Sequence, residues 1–258
     1  MRDLTVTAVQ CGLEWECPEA NRDALGRVLA DIAGTDLVVL PEMFTTGFSI
    51  ASTAAAETMA GPTVRWLRER ASAGGHAVVG SVKIVEDDRC YNRLLFVTPD
   101  GEITAYDKRH LFRMAGEHER YQAGRGRVVV NLAGWRLLLQ VCYDLRFPVF
   151  SRNRDDYDAV IYVANWPAAR RSAWQRLLPA RAIENLAYCI GVNRVGQDGN
   201  GIDYAGDSVI LDYIGDELAA AGAAATTISA TLSAGGLARF RRKFPAHLDA
   251  DEFRIDGV

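Results

Sequence analysis

Several signatures of specialised protein classes are absent from this sequence of 258 residues. No apolar run approaches the roughly 20 residues that a membrane-spanning helix needs. The first ten residues, MRDLTVTAVQ, lack the basic segment and apolar stretch of a secretory signal. The net charge is only −4 and there is no basic cluster, which argues against a nucleic-acid or anionic membrane partner. We therefore expect a globular protein of ordinary composition that acts on a small molecule.

Cysteine and histidine are scarce and scattered. The cysteines are odd in number and form no CxxC pair, so they indicate neither a zinc site nor a disulfide framework, and we expect a reduced, cytoplasmic setting. The histidines form neither HxH nor HExxH, which argues against a zinc hydrolase. The glycines of GQDGNG do not join a strand to a helix, so they predict no dinucleotide site. We expect neither a metal nor an organic cofactor. The residues concerned are Cys11, Cys17, Cys90, Cys142, Cys189, His76, His110, His118 and His247.

Short apolar runs alternate with helical patterns along the whole chain, with no linker or repeat, which predicts a single domain over 1–258. Both hairpins and strand–helix successions occur, which excludes a purely parallel sheet. Segments 207–212 and 225–232 are predicted as edge strands before a basic helical tail. The other predicted strands are 4–10, 37–40, 76–85, 90–98, 103–107, 128–132, 135–143, 158–166 and 188–192, and the other predicted helices begin near Pro18, Pro62 and Trp174.

Three predicted strands each end on a charged or reactive residue, where a sheet presents side chains to a crevice. These are VVLPEMF with Glu42, ITAYDKRHLF with Lys108, and LLLQVCYDLRFP with Cys142. Each residue alone has an ordinary explanation as a solvated carboxylate, a surface amine or a small core residue. Together these three residues supply the catalytic groups that a hydrolase needs, which favours a catalytic role.

The chemistry of these three residue types is complementary. A thiol with a pKa near about 8.5 is a weak nucleophile at neutral pH, and a neighbouring ammonium group favours the thiolate. A carboxylate can take the thiol proton, give it to the departing amine and later deprotonate water. The ammonium of Lys108 and the backbone N–H of Tyr143 could together stabilise an oxyanion.

The three motifs, in this order and spacing, resemble the nitrilase superfamily of carbon–nitrogen hydrolases. The likeness continues through ANWPAAR (164–170), LLPARAIENLAY (177–188) and YAGDSVILDYIG (204–215). The segments PEMFTTGF, DKRHLF and NRVGQDGNG are most similar to those of the omega-amidase-like branch. Known substrates of that branch are side-chain amides of short dicarboxylic acids, including 2-oxoglutaramate. The resemblance implies a four-layer α-β-β-α sandwich of two mixed sheets with outer helices.

The resemblance also implies roles for individual residues. Glu42 would be the general base and acid, Lys108 the oxyanion stabiliser and Cys142 the nucleophile. Many members carry a second glutamate seven residues before a glycine, which is Glu117 when counted from Gly124, with Glu119 as the alternative. Either glutamate could instead be a solvated loop carboxylate.

Further residues are candidates for substrate binding. Arg146 could bind a substrate carboxylate through its planar fork, or it could form a structural pair with Asp144. Trp166, Phe48, Met43 and Tyr143 are expected around the pocket. His110 is two residues beyond Lys108, and the resemblance gives it a structural role instead of a Cys142–His110 dyad. Other cations that could bind the carboxylate are Arg113, Arg170 and Arg171.

The function that follows is hydrolysis of a small amide through a cysteine thioester, with 2-oxoglutaramate or 2-oxosuccinamate as the expected substrate. Nitrile or N-carbamoyl hydrolysis with the same three residues is the alternative within this class. A non-catalytic binding subunit is the alternative outside it, although such a protein would not need the intact triad. The resemblance also implies a homodimer built from 147–154 and the helix at 177–187.

Overall fold

The computed structural model describes residues 1–255, in which two six-stranded mixed sheets account for most strands. The first sheet has the order β14-β1-β2-β3-β4-β5 and the second has the order β13-β12-β9-β8-β7-β6, while β10 and β11 form a separate hairpin. The strands are β1 (Leu4–Gln10), β2 (Leu37–Val39), β3 (Ala77–Glu86), β4 (Arg89–Val97), β5 (Ile103–Asp107), β6 (Val129–Leu132), β7 (Trp135–Val141), β8 (Ala159–Ala164), β9 (Tyr188–Asn193), β10 (Val195–Gln197), β11 (Asp203–Ala205), β12 (Val209–Leu211), β13 (Glu217–Ala220) and β14 (Thr226–Leu232).

The helices begin where the sequence favours a first turn, and both α1 and α2 have proline there. Short 3₁₀ turns cover 113–115, 142–146, 168–170 and 246–249. No helix within residues 1–255 is long and apolar enough to cross a membrane. The helices are α1 (Pro18–Ala30), α2 (Pro62–Gly74), α3 (Glu117–Arg120), α4 (Pro148–Ser151), α5 (Arg171–Asn185) and α6 (Ala234–Lys243).

The two sheets pack face to face because alternate residues of their strands are apolar. Val6 of β1 and Leu139 of β7 belong to one buried cluster that spans both inner faces. The outer face of the first sheet packs on α1 and α2, and that of the second packs on α5. The predicted four-layer α-β-β-α sandwich is confirmed.

Each sheet contains a parallel triplet, which brings several strand ends to one edge. Strands β1, β2 and β3 are parallel neighbours, as are β7, β8 and β9, and the remaining pairs are antiparallel. Polar or reactive residues follow β2, β7 and β8 directly or within three positions. Side chains at such an edge can converge in a crevice.

The prediction for 207–212 was wrong in one respect. Strand β12 is not at an edge, because it pairs with β9 on one side and with β13 on the other. The segment ELAA of β13 has no β-branched or aromatic residue, so its sequence does not indicate a strand. Strand β14 does lie at an edge, beside β1, as predicted.

Candidate active site

Glu42 lies in the tight turn that follows β2, and its side chain is fully buried. Its Oε1 accepts hydrogen bonds from Asn92 Nδ2 at 2.7 Å and Lys108 Nζ at 2.9 Å. Its Oε2 accepts the backbone N–H of Asn165 at 2.8 Å. A buried carboxylate with three donors is compensated for the loss of water and is held in one orientation.

Lys108 follows β5 and is 1% exposed. Its ammonium group lies between two carboxylates, at 2.9 Å from Glu42 Oε1 and at 3.0 and 3.1 Å from the oxygens of Glu117. Burial opposes the charge, but the attraction of Glu117 and Glu42 outweighs it and raises the pKa of Lys108 above its ordinary value. The lysine is therefore a fixed cation at neutral pH.

Glu117 begins the short helix α3 and is fully buried, whereas the side chain of Glu119 is 70% exposed. Glu117, and not the alternative Glu119, therefore joins the cluster around Lys108. Its Oε2 accepts the backbone N–H of Phe112 at 2.6 Å. Burial raises the pKa of Glu117 even though Lys108 pulls it in the opposite direction.

Cys142 does not lie in a strand as the sequence predicted. Strand β7 ends at Val141, and Cys142 begins a 3₁₀ turn with φ of +45°, an uncommon conformation outside glycine. Asp144 fixes this turn, since its carboxylate accepts the backbone N–H of Val141 at 2.9 Å. Cys142 is half-buried as a residue, and its Sγ lies 3.9 Å from the carbonyl oxygen of Asn165. Backbone strain at a reactive residue is typical of functional sites.

The electrostatics around Cys142 differ from the sequence-based expectation of a lysine-stabilised thiolate. Burial and then the negative charge of Glu42 raise the pKa of the Cys142 thiol well above its ordinary value. Lys108 acts in the opposite direction but does not prevail. The resting thiol is protonated at neutral pH, so an attack through sulfur needs a base that removes the proton.

Two asparagines complete the cluster, and neither was singled out from the sequence. Asn92 donates to Glu42, and its Nδ2 also lies 3.4 Å from Glu117 Oε1. Asn165 holds Glu42 at both ends, because its Nδ2 donates to the backbone oxygen of Glu42 at 2.6 Å. Asn165 directly follows β8 and could have been found as a polar residue at a strand end. Asn92 lies inside β4, where no local signal marks it.

The cluster opens into a small cleft with mostly apolar walls. Trp166 is 3% exposed and is oriented by two hydrogen bonds, from its backbone N–H to Asn193 and from its indole N–H to the oxygen of Arg170. Phe48 places its ring centroid 5.0 Å from Lys108 Nζ. The prediction that Met43 shapes the pocket mouth was wrong, since Met43 is fully buried beside Cys90 and Tyr121. The lining residues are Glu42, Phe48, Lys108, Phe112, Ala115, Cys142, Tyr143, Arg146, Asn165, Trp166, Pro167, Arg170, Ile202 and Tyr204.

Two arginines reach the cleft. Arg146 is exposed, with its guanidinium carbon 5.1 Å from the ring centroid of Trp166. Arg170 lies in the same way over Phe112, at 5.1 Å. The other two candidates lie elsewhere, because Arg171 forms an ion pair with Asp207 and Arg113 is not among the lining residues. A substrate anion in this cleft would therefore face Arg146 and Arg170.

The alternative pairing of Asp144 with Arg146 is not formed. Asp144 is fully buried and accepts hydrogen bonds from the Tyr106 hydroxyl at 2.8 Å and the His110 backbone N–H at 3.0 Å. His110 Nδ1 also lies 2.7 Å from this carboxylate, and its ring stacks on Phe147 at 3.8 Å. His110 thus supports the Cys142 turn from behind. Within residues 1–255, no group of three or more His, Cys, Asp or Glu side chains could hold a metal ion.

Comparison with known proteins gives consistent matches over nearly the whole chain. The carbon–nitrogen hydrolase family model matches residues 5–242. The omega-amidase YafV of Escherichia coli K12 is 51% identical over 256 residues, which cover 99% of this chain and 100% of the relative. The 2-oxoglutaramate amidase of Bacillus subtilis is 31% identical, with 98% of both chains covered. The crystal structure of XC1258 from Xanthomonas campestris, a CN-hydrolase superfamily protein, is 50% identical and has a TM-score of 0.97 over 99% of this chain and all of that one.

Proposed function

The chain belongs to the carbon–nitrogen hydrolase family of the nitrilase superfamily, and we propose that Glu42, Lys108, Cys142 and Glu117 make it an omega-amidase of short 2-oxo dicarboxylic acid monoamides. One observation supports this proposal most strongly. A buried ammonium group lies between two buried carboxylates beside a thiol, in a chain 51% identical to an omega-amidase. The enzyme is an amidohydrolase.

Acylation begins when Glu42 accepts the proton of the Cys142 thiol, since the raised pKa of that thiol keeps it protonated in the resting enzyme. The sulfur attacks the amide carbon, and the carbonyl electron pair moves onto oxygen. Lys108 and the backbone N–H of Tyr143 stabilise that oxyanion. The proton on Glu42 then passes to the amide nitrogen and the C–N bond breaks. Ammonia departs, and the acyl group remains on Cys142 as a thioester.

Deacylation uses Glu42 again, this time as the base that activates water. Glu42 removes a proton from water, the hydroxide oxygen attacks the thioester carbon and the C–S bond breaks. The proton returns to sulfur, and the free dicarboxylic acid leaves. Glu117 stays outside these transfers: it balances the charge of Lys108 and ties it to the Phe112 segment.

The oxo-acid end of the substrate carries a fixed negative charge, and the cleft offers Arg146 for it. Arg146 lies over Trp166 and is exposed, whereas Glu42 and Lys108 at the reacting end are buried. Trp166 and Phe48 would pack against the short methylene chain. Lys108 does not serve this end, because it is buried at the reacting end of the cleft beside Glu42 and Glu117.

Arg146→Met is expected to lower kcat/KM for 2-oxoglutaramate by about 10²-fold or more, because a charge-paired guanidinium is worth a few kcal/mol at such a site. Ammonia release is compared with that from an uncharged amide of equal length, whose hydrolysis should change little. Arg113→Met is the matched control, since that arginine is exposed but does not line the cleft.

Equal wild-type activity on both amides would contradict the substrate proposal. A selective wild type whose preference survives Arg146→Met would release Arg146 from the role and leave Arg170 as the cation. Nitriles and N-carbamoyl compounds are assayed for hydrolysis in the same way, because they are the alternative substrates for the same three catalytic residues.

The proposed assembly is a homodimer around α4 and α5. Two hydrogen bonds join the chain just after α4 to the end of α5. They run from Asn153 N–H to Asn185 Oδ1 at 2.8 Å and from Asn153 Nδ2 to Asn185 O at 3.0 Å. Val149 of α4 and Ile183 of α5 are 57% and 53% exposed, so both offer apolar surface that a second copy could cover. A cytoplasmic location remains a prediction from the scattered cysteines.

Light scattering at micromolar concentration is expected to give twice the mass of 28.3 kDa. Val149→Asp combined with Ile183→Asp should shift the wild-type dimer to monomer, because a two-fold interface repeats each buried charge. Leu248→Asp is the control, since Leu248 is 76% exposed and lies outside both segments. A monomeric wild type would refute the dimer.

A further inference from the structure

The β10–β11 hairpin forms one wall of the cleft through Ile202 and Tyr204. These two residues are separated by one position in extended chain, so their side chains lie on the same face. Asp203, between them, faces the other way and accepts a hydrogen bond from Gln197 Nε2 at 3.1 Å. The hairpin therefore presents an aromatic and an aliphatic side chain to whatever occupies the cleft.

A single carboxylate holds this wall in place. Asp198 Oδ1 accepts the backbone N–H groups of Asn200 at 2.8 Å and Ile202 at 3.0 Å, and its Oδ2 accepts the hydroxyl of Tyr204 at 2.9 Å. A β-bridge between Pro167 and Tyr204 joins the hairpin to the segment that carries Trp166. Ile202 is thus fixed at the cleft before any substrate binds.

Ile202 is 41% exposed, whereas the Glu42 and Lys108 side chains at the reacting end are at most 1% exposed. Ile202 therefore lies towards the open end of the cleft, where the substrate atoms farthest from the scissile carbonyl must lie. An acyl chain that extends to this end of the cleft meets the Ile202 side chain, so the volume of that side chain limits how long a chain fits.

We propose that Ile202 is a specificity-determining residue that sets how long an acyl chain the enzyme accepts. This inference rests on the proposed omega-amidase function and deepens it, because it assigns the limit on substrate length to one side chain. Tyr204 forms the permanent wall behind it, being 6% exposed and held by Asp198.

The test compares kcat/KM for 2-oxoglutaramate with that for its homologue longer by one methylene. Ile202→Ala is expected to shift the ratio towards the longer amide by about tenfold, the scale of a methylene in an apolar pocket. Ile202→Phe is expected to shift it towards the shorter amide. Ile214→Ala is the matched control: Ile214 is 46% exposed, its N–H is also bound by an aspartate Oδ1, and it does not line the cleft.

A ratio within about twofold of wild type in both Ile202 variants, or an equal loss on both amides, would overturn the proposal. A wild type that hydrolyses neither oxo-acid amide would instead overturn the proposed function. In that case the kcat/KM ratio is measured with unsubstituted straight-chain amides of the two lengths. If the Ile202 variants leave that ratio at its wild-type value, the proposed role of Ile202 is also overturned.

Discussion

Cys142→Ala is expected to eliminate ammonia release from 2-oxoglutaramate, with a loss on the order of 10⁶-fold, as for other enzymes that lose their nucleophile. No other thiol can substitute. Cys90 and Cys189 are buried, and burial raises the pKa of Cys11 to about 12. The variant should fold, because it removes one sulfur atom whose contact with Asn165 O is long, at 3.9 Å, and because alanine meets the same backbone strain as cysteine.

The measurement combines turnover with detection of the acyl-enzyme. Wild type quenched in acid during turnover should carry the acyl mass on the peptide that contains Cys142, and Cys142→Ala should carry none. Cys17→Ala is the control, since Cys17 is exposed and lies outside the cleft. Turnover by Cys142→Ala, or its loss in a folded Cys17→Ala, would refute the proposed nucleophile.

The sequence predicted the residues whose signal is local. Glu42 and Cys142 each follow a run of apolar residues, and Lys108 stands in a recognisable motif, so a strand-end rule finds all three. The four layers were predicted from the resemblance, and the facing apolar sides of β1 and β7 show why they form. These features depend on patterns within a few neighbouring residues.

Features that depend on distant contacts were missed or left open. Asn92 reaches Glu42 only because β4 lies in the same sheet as β2, with β3 between them, a contact over 50 positions. The left-handed φ of Cys142 is supported by Asp144, whose other partners come from 106–110. The choice between Glu117 and Glu119 required knowing which face of a four-residue helix is buried. Spacing along the chain cannot decide such cases.

Lys108→Met is the second substitution with a large expected effect, on both activity and stability. The oxyanion would lose its main cation, which is worth about 10²–10³-fold in rate. Glu42 and Glu117 would also be left buried without their shared counter-charge. Removing one partner of a buried pair typically costs about 3–5 kcal/mol of unfolding free energy. Both losses should be visible, in kcat and in the thermal midpoint.

Two further variants separate catalysis from stability. Adding Glu117→Gln to Lys108→Met removes one of the unpaired charges, so the thermal midpoint should recover in part while turnover stays lost. Lys108→Arg keeps the charge, but its planar fork cannot match three donors at 2.9–3.1 Å around one nitrogen, so it should not restore turnover. A folded Lys108→Met or Lys108→Arg enzyme with activity within about tenfold of wild type would remove Lys108 from contact with the oxyanion.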